Sequence, residues 1–268
     1  MSTAIQQPGR LMYQYKPIAN PYRGYLQDWK TNQLWMSDPA NFNDPLDVQL
    51  KIEDLTYRGP YENIERLRSV VSALLQDNSQ VSAWFFSSSL LDCLHQWVDN
   101  KLTGNLLQEV RACLAEYGVS CFTDTATHPL MWSHYADQHQ GYVIEYHVNE
   151  MEMAGGKQAV LTQAVEYVSQ LPTLCLSEVL LTPHQALGRM LATKSSHWAY
   201  ENEWRIISPL VKGANMPLPD GMRLSALIAG QKMTADDLVL LKQKADEFGV
   251  PMRRVRSGLG YEMRVENC

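Results

Sequence analysis

Hydrophobic and polar residues change rhythm along the chain. Leu11 to Ile18 alternates roughly and is rich in aromatics, which predicts a strand that Asn20-Pro21 breaks. Tyr22 to Thr31 is expected as a short helix and Gln33 to Ser37 as a second strand. Asp38-Pro39 and Asn43-Asp44-Pro45 then make a turn-rich loop. Next the period becomes helical. Ile64, Leu67, Val70, Val71, Leu74 and Leu75 recur at helical spacing between Asn63 and Gln76, and Ser79 to Trp97 and Asn105 to Glu116 repeat the pattern. The expectation is a helical insertion over about residues 60–117, with Gly118 as the C-terminal cap of its last helix.

From Val119 the chain returns to strands. Val119 to Thr123 is a compact apolar strand, and Met131 to Gln138 a short helix. Tyr142 to His147, entered through Gly141, alternates β-branched and aromatic residues as a strand does. Val160 to Val168 is expected as a strand, Ser177 to Thr193 as a helix, and Glu203 to Ser208 as a strand. Leu224 to Ala229, a helix over Thr234 to Phe248 and Met252 to Arg256 close the chain as a β–α–β unit. Thr234 suits the helix start because its hydroxyl can cap, and Asp236 and Asp237 complement the helix dipole. The class is α+β with a mixed sheet. No repeat, low-complexity tract or long linker divides the chain, so residues 1–268 are expected as a single α+β domain carrying the insertion.

Composition narrows the function classes. With 268 residues, 45% hydrophobic, 7 Trp and 13 Tyr, the chain has the material for a substantial core and is not of a disordered kind. Its 23 Lys and Arg against 29 Asp and Glu leave a net charge of −6, which speaks against a broad nucleic-acid surface. Arg253-Arg254-Val255-Arg256 remains as a local basic stretch. The cysteines number 5, are scattered and form no C-x-x-C pair, as expected of a reducing compartment. Met1 to Pro8 has no leader character, and no apolar run approaches the roughly 20 residues of a membrane span. A cytoplasmic protein without membrane contact is expected.

Three clusters can carry chemistry. In Lys194 to Arg205, Glu201 and Glu203 stand two apart and so project to one face at a strand edge. Two carboxylates so close raise the pKa of at least one, and Arg205 on the same face can neutralise or orient them. The same spacing also describes a solvated strand start with a salt bridge. The second cluster runs from Cys121 through His128 and Ala136 to Gly141. Trp132 and Tyr135 share a helix face there, as do His134 and Gln138. A core helix packed through Met131, Trp132 and Tyr135 is the competing reading. In the third, Asn41 to Asp47, the default is a rigid structural loop, here also a candidate pocket wall. His134 and His139, five apart, follow no metal-binding spacing and no metal ligand is assigned, although convergence of His128, His134 and His139 on folding stays open. There is no P-loop, G-x-G-x-x-G or G-x-S-x-G, and Cys121 within an apolar strand reads as an inert thiol.

Tyr15-Lys16, Phe42-Asn43-Asp44-Pro45-Leu46-Asp47, Met131 to Ala136 through Gly141, and Trp198 to Arg205 together resemble the motifs of a bacterial family described only as a domain of unknown function. More distantly, the order strand, loop, short helix ending in Tyr-Ala, Gly, strand over Cys121 to Tyr146, followed by Glu-x-Glu, is similar to the central block of ADP-ribosyltransferases. That resemblance implies a mainly antiparallel sheet and an enzyme that takes NAD as substrate and cleaves its nicotinamide–ribose bond, in the manner of a toxin or phage-defence effector. It also implies roles. Glu203 holds the ribose hydroxyl and stabilises oxocarbenium character, while Glu201 orients or deprotonates the acceptor. Tyr135 stacks on nicotinamide, and Thr123 or Ser133 bonds its amide or the ribose. Tyr15-Lys16 stands where the first NAD contact falls, and Trp132, His134 and Arg205 complete the binding set. Where the family usually has His or Arg in the first motif this chain has Tyr15-Lys16, and Trp132 replaces the serine three before the helix tyrosine. On this reading Tyr15, Tyr135 and Glu203 line one pocket. Two alternatives stay open: a metal-dependent hydrolase or nuclease built on Glu201, Glu203 and His134, and a non-catalytic ligand-binding module.

Overall fold

The computed structural model describes residues 9–20, 24–26, 29–30, 32–48, 115–149, 160–172 and 183–268, with the single positions Ser69, Ser72 and Met153. The helical insertion expected over 60–117 therefore lies outside the described residues, apart from helical Ser69 and Ser72 and the turn that leads into Gly118.

Among the described residues the strands and α-helices are, in chain order, β1 (Arg10–Lys16), β2 (Ala19–Asn20), β3 (Gly24–Tyr25), β4 (Gln33–Met36), β5 (Gly118–Thr123), α1 (Pro129–Tyr135), β6 (Tyr142–Val148), β7 (Leu161–Ala164), β8 (Glu166–Val168), α2 (Pro183–Leu191), β9 (Thr193–Ser195), β10 (Glu203–Ser208), β11 (Ala214–Pro217), β12 (Met222–Ala229), α3 (Ala235–Phe248), β13 (Met252–Ser257) and β14 (Met263–Asn267). Eight of these strands form one sheet in the order β14-β13-β12-β6-β1-β5-β10-β7. Within it β12 and β13 run parallel, joined by α3, and the other neighbours are antiparallel. The class is α+β with a mixed, mostly antiparallel sheet, as expected.

The two faces of the sheet are covered differently. Met12, Phe122, Ile144, Ile206 and Leu227 point to one side, where Leu34 and Met36 of β4 and Leu241 and Ala245 of α3 meet them. Tyr15, Val143, Ile228 and Val255 point to the other and pack under Met131 and Trp132 of α1. Both faces of the central β6 are thus buried, and its one acid, Glu145, is met there by Ser225 Oγ at 2.8 Å and Arg253 Nη1 at 2.9 Å. Capping fixes α3: Thr234 Oγ1 accepts from Asp237 N at 3.2 Å, and Gly249 at φ 67 closes the other end.

The pairing of β1 with β5 sets up the site. β1 pairs with β6 along its whole length, from Arg10 opposite Val148 to Lys16 opposite Tyr142. β5 pairs in the same complete way with β10. Yet β1 and β5 are in register at Tyr13 opposite Thr123 alone. The sheet is two half-sheets joined at that point, with a fork opening between them. Across the fork the Gln14 side chain stands in for ladder bonds, with Nε2 donating to Ser120 Oγ at 2.7 Å and to the Cys121 carbonyl at 3.1 Å.

Several elements depart from expectation. Gly118 does not cap a helix; it opens β5, where a Cβ would stand 2.0 Å from the Val211 carbonyl, so close approach of backbone selects glycine. Within Tyr22 to Thr31, Gly24–Tyr25 is extended and pairs with Ala19–Asn20 rather than being helical, and much of the rest lies outside the described residues. Val160 to Val168 divides at Val165: β7 joins the main sheet, while β8 pairs with β9 in parallel. Within Ser177 to Thr193 the described helix is α2, and Thr193 already belongs to β9. No described helix is long and apolar enough to cross a membrane.

Candidate functional site

A cavity of about 490 Å³ occupies the fork. Tyr13 and Tyr15 of β1, Thr123 and Cys121 of β5, and His134 and Tyr135 of α1 line it, and the loop after β4 adds Phe42, Asn43 and Asp47. The fourth wall is the chain from Lys194 to Glu203.

That wall is built by an abrupt change of backbone. Lys194 lies in β9, residues Ser196–Glu201 form a 3-10 helix, and Asn202 then turns left-handed at φ 43 and ψ 51 before β10 begins at Glu203. Glu201 and Glu203 therefore converge through this turn and not through the alternation of a strand edge. Both are almost fully buried, at 2% and 5% exposed, so the reading of a solvated strand start falls.

Buried acids need cations, and two are present. Lys194 Nζ lies 2.5 Å from Glu201 Oε2, 3.0 Å from Glu203 Oε2 and 3.6 Å from Asp47 Oδ2. Arg205, with no exposed surface, donates from Nε to Glu203 Oε1 at 2.7 Å. Its Nη2 forks onto Asp47 at 2.8 and 3.0 Å, and its Nη1 meets the Leu191 carbonyl at 2.8 Å. Asp47 thus ties the loop after β4 to the acid pair. Tyr167 OH accepts from the Glu203 backbone N–H at 2.8 Å, which fixes the start of β10.

Three carboxylates against two cations leave one negative charge over, and the two glutamates meet different surroundings. For Glu203, burial pushes the pKa up, but the Arg205 and Lys194 charges prevail and hold it down at about 2. For Glu201, burial prevails over Lys194 and the Tyr135 hydrogen bond, and its pKa is raised. The two carboxyls are thus set apart in proton affinity, Glu203 below and Glu201 above the ordinary value, as neighbouring acids with different surroundings are. Lys194 is held as an ammonium: burial lowers its pKa, but Glu203 and Glu201 outweigh that and raise it. Tyr135 OH donates to Glu201 Oε1 at 2.6 Å and lies 3.4 Å from Asn43 Nδ2. Burial keeps its phenol protonated. Burial likewise drives the Cys121 thiol pKa upward, in keeping with an unreactive sulfur.

Of the residues named from sequence, Tyr15, Lys16, Thr123, His134, Tyr135, Glu201 and Glu203 line the cavity. Tyr15 OH donates to the Thr125 carbonyl at 3.0 Å. Trp132 does not line it: its indole is fully buried under α1, bonds the Ala126 carbonyl at 2.8 Å and stands edge-on to Tyr15. Ser133 points elsewhere, to the Pro129 carbonyl and His139. Arg205 reaches the cavity only through Glu203 and Asp47. His128 stacks on Tyr200, His134 stands edge-on to Trp198, and His139 meets Ser133, so the three imidazoles have separate partners. No group of three or more His, Cys, Asp or Glu that could hold a metal occurs among the described residues. Lys194 and Asp47 were given no chemical role from sequence. Burial of the acid pair calls for a cation such as Lys194, but that burial comes from the turn at Asn202, and Asp47 is drawn in by Arg205; neither demand shows in the residue types.

Residues 131–206 match the family described as "Protein of unknown function (DUF2971)". The DUF2971 match begins in α1 and ends within β10, so it contains Tyr135, Lys194, Glu201, Glu203 and Arg205, while Tyr15 and Asp47 lie outside it. The expected likeness to a domain of unknown function is met over this segment. No curated protein and no solved structure matches the chain.

Proposed function

We propose that the forked cavity takes NAD as substrate and that the chain cleaves the nicotinamide–ribose bond, as an ADP-ribosyltransferase or NAD glycohydrolase would. The observation that carries this reading is a buried acid pair, Glu201 and Glu203, bridged by Lys194 Nζ and braced by Arg205, on the wall of a cleft that Tyr15 and Tyr135 also line. The C–N bond breaks with its electron pair leaving on the nicotinamide ring nitrogen, and positive charge develops on the ribose. Glu203, anionic and braced by Arg205, is the group suited to oppose that charge, an effect worth about 3 kcal/mol where a single preorganised group is removed. Glu201 accepts the proton of the attacking oxygen, from water or from a macromolecular hydroxyl, as that oxygen bonds to the anomeric carbon. Tyr135, held on Glu201, supplies an aromatic surface for the leaving base. Consumption of NAD in this way would suit a toxin or phage-defence effector.

A metal-dependent hydrolase on Glu201, Glu203 and His134 is not favoured, because Lys194 Nζ sits between the two carboxylates where a bridging cation would bind. One observation favours a second reading, a ligand-binding module without turnover: both oxygens of Glu203 already accept from Arg205 or Lys194. Incubation with NAD separates the two. The enzyme reading expects free nicotinamide to accumulate with time together with a rise in melting temperature on NAD addition. A melting shift without nicotinamide selects the binding module, and neither response contradicts both.

A further inference from the structure

The cleft contains a polar group that none of the roles above uses. Gln14, 5% exposed, lies at the floor of the fork on β1 and lines the cavity. Both hydrogens of its amide are committed, one to Ser120 Oγ at 2.7 Å and the other to the Cys121 carbonyl at 3.1 Å. A carbonyl only accepts, so the amide nitrogen has to stand on the Cys121 side and the orientation of the carboxamide is fixed. Its Oε1 accepts from no described residue, and it is not among the sealed polar atoms without a partner. What the fork presents to a ligand at this point is a rigid acceptor, braced from both β5 contacts.

The geometry points to Gln14 as a specificity-determining residue: its Oε1 receives an N–H of an aromatic carboxamide, so the cleft selects a ring carrying a carboxamide over the same ring carrying a carboxylate. This rests on the reading of the cleft as an NAD site for its choice of ligand, and goes beyond it in naming the atom that reads the ring substituent. The ring itself finds aromatic walls, because Tyr15, Trp35, Phe42 and Tyr135 line the same cavity. A carboxylate in that place brings oxygen against oxygen, with no hydrogen between them. A site built around a hydrogen bond rejects the analogue that lacks it more strongly than a merely apolar site does.

The test is a set of affinities measured by calorimetry on the full chain, for nicotinamide against nicotinic acid and for NAD against nicotinic acid adenine dinucleotide. The wild type is expected to bind the amide member of each pair at least about tenfold more tightly. Gln14→Met, close in shape but without the acceptor, brings the ratio to within about twofold. Ser120→Ala removes one brace of the amide nitrogen and leaves Oε1 in place, so it keeps most of the ratio, which a purely structural role for the bridge would not allow. N,N-dimethylnicotinamide removes both N–H donors from the ligand and is expected to bind the wild type as poorly as the acid, a readout that needs no variant to fold. Equal affinity within each pair, or a ratio that survives Gln14→Met, overturns the assignment. Discrimination between the small pair without binding of either dinucleotide keeps Gln14 and refutes the NAD reading. Dinucleotide binding without discrimination does the reverse, and no binding of any probe overturns both.

Discussion

At the scale of single residues, Arg205 carries the heaviest responsibility. It is fully buried and holds Glu203, Asp47 and the Leu191 carbonyl at once. Removing one partner of a buried ion pair costs about 3–5 kcal/mol, because the remaining charges lose their compensation in a poorly polarisable interior. For Arg205→Met we expect a melting temperature lower by roughly 10 °C, read by calorimetry; an unchanged melt would show that the cluster is compensated in another way. Glu203 sets a second expectation. Its folded pKa of about 2 lies below the ordinary 4.5, so its ionised form stabilises the fold. That contribution is complete above pH 4.5 and is lost as the pH falls toward 2. Glu201 has the opposite sign, since its raised pKa means the folded state favours the protonated carboxyl and is weakened as the pH rises through it. Melts of Glu203→Gln across the acid range should therefore show a shallower loss of stability between pH 4.5 and 2 than melts of the wild type, and an equal slope in the two would contradict the assignment. Glu201, Glu203 and Tyr135 were legible in the sequence because acids two apart and an aromatic helix are unusual in type. Lys194 and Asp47 were not, since a single lysine in a strand or an aspartate ending a turn motif looks the same whether it is solvated or buried.

At the scale of elements, the loop after α1 is under constraint. Asp137, Gln138 and His139 follow one another with φ of 47, 52 and 75, a left-handed stretch that L-residues adopt at a cost of about 1–2 kcal/mol each. It is clamped from behind, as His139 N bonds the Trp132 carbonyl and Lys232 N bonds the His139 carbonyl. Gly230 makes that clamp possible, because a Cβ there would stand 2.2 Å from the His139 carbonyl and 2.7 Å from that of Gly141. Gly230→Ala must push these backbones apart, and we expect a melting temperature several degrees lower, with near-wild-type stability as the contrary result. Periodicity and capping made α3 and its flanking strands legible, since Thr234 and Gly249 cap where their residue types predict. Gly118 shows the limit of the same reasoning. Glycine after a helical pattern suggests a cap, but here the demand on it comes from Val211, distant in sequence. The edge strands β11 and β14 were missed for a related reason: their half-exposed, polar sequences owe their extension to the partner strand.

At the scale of the whole molecule, the candidate site follows from the join between the half-sheets. A continuous ladder between β1 and β5 would leave no room for a ligand; pairing confined to Tyr13 and Thr123 opens the fork and lets two strand faces, α1 and the loop after β4 converge on one cavity. Sequence motifs near residues 15, 43, 135 and 203 named these walls, but not the break in pairing that separates them, because register depends on which strands meet. The central claim is that Glu203 acts on the reacting ribose and not on binding alone. It is tested most directly by nicotinamide release from NAD, with the NAD dissociation constant measured in parallel, for wild type and Glu203→Gln. We expect release by the wild type and a fall in kcat of about 100-fold or more in the variant, with NAD affinity changed only a few-fold. Equal turnover in the two proteins, or no release by the wild type, would contradict the account.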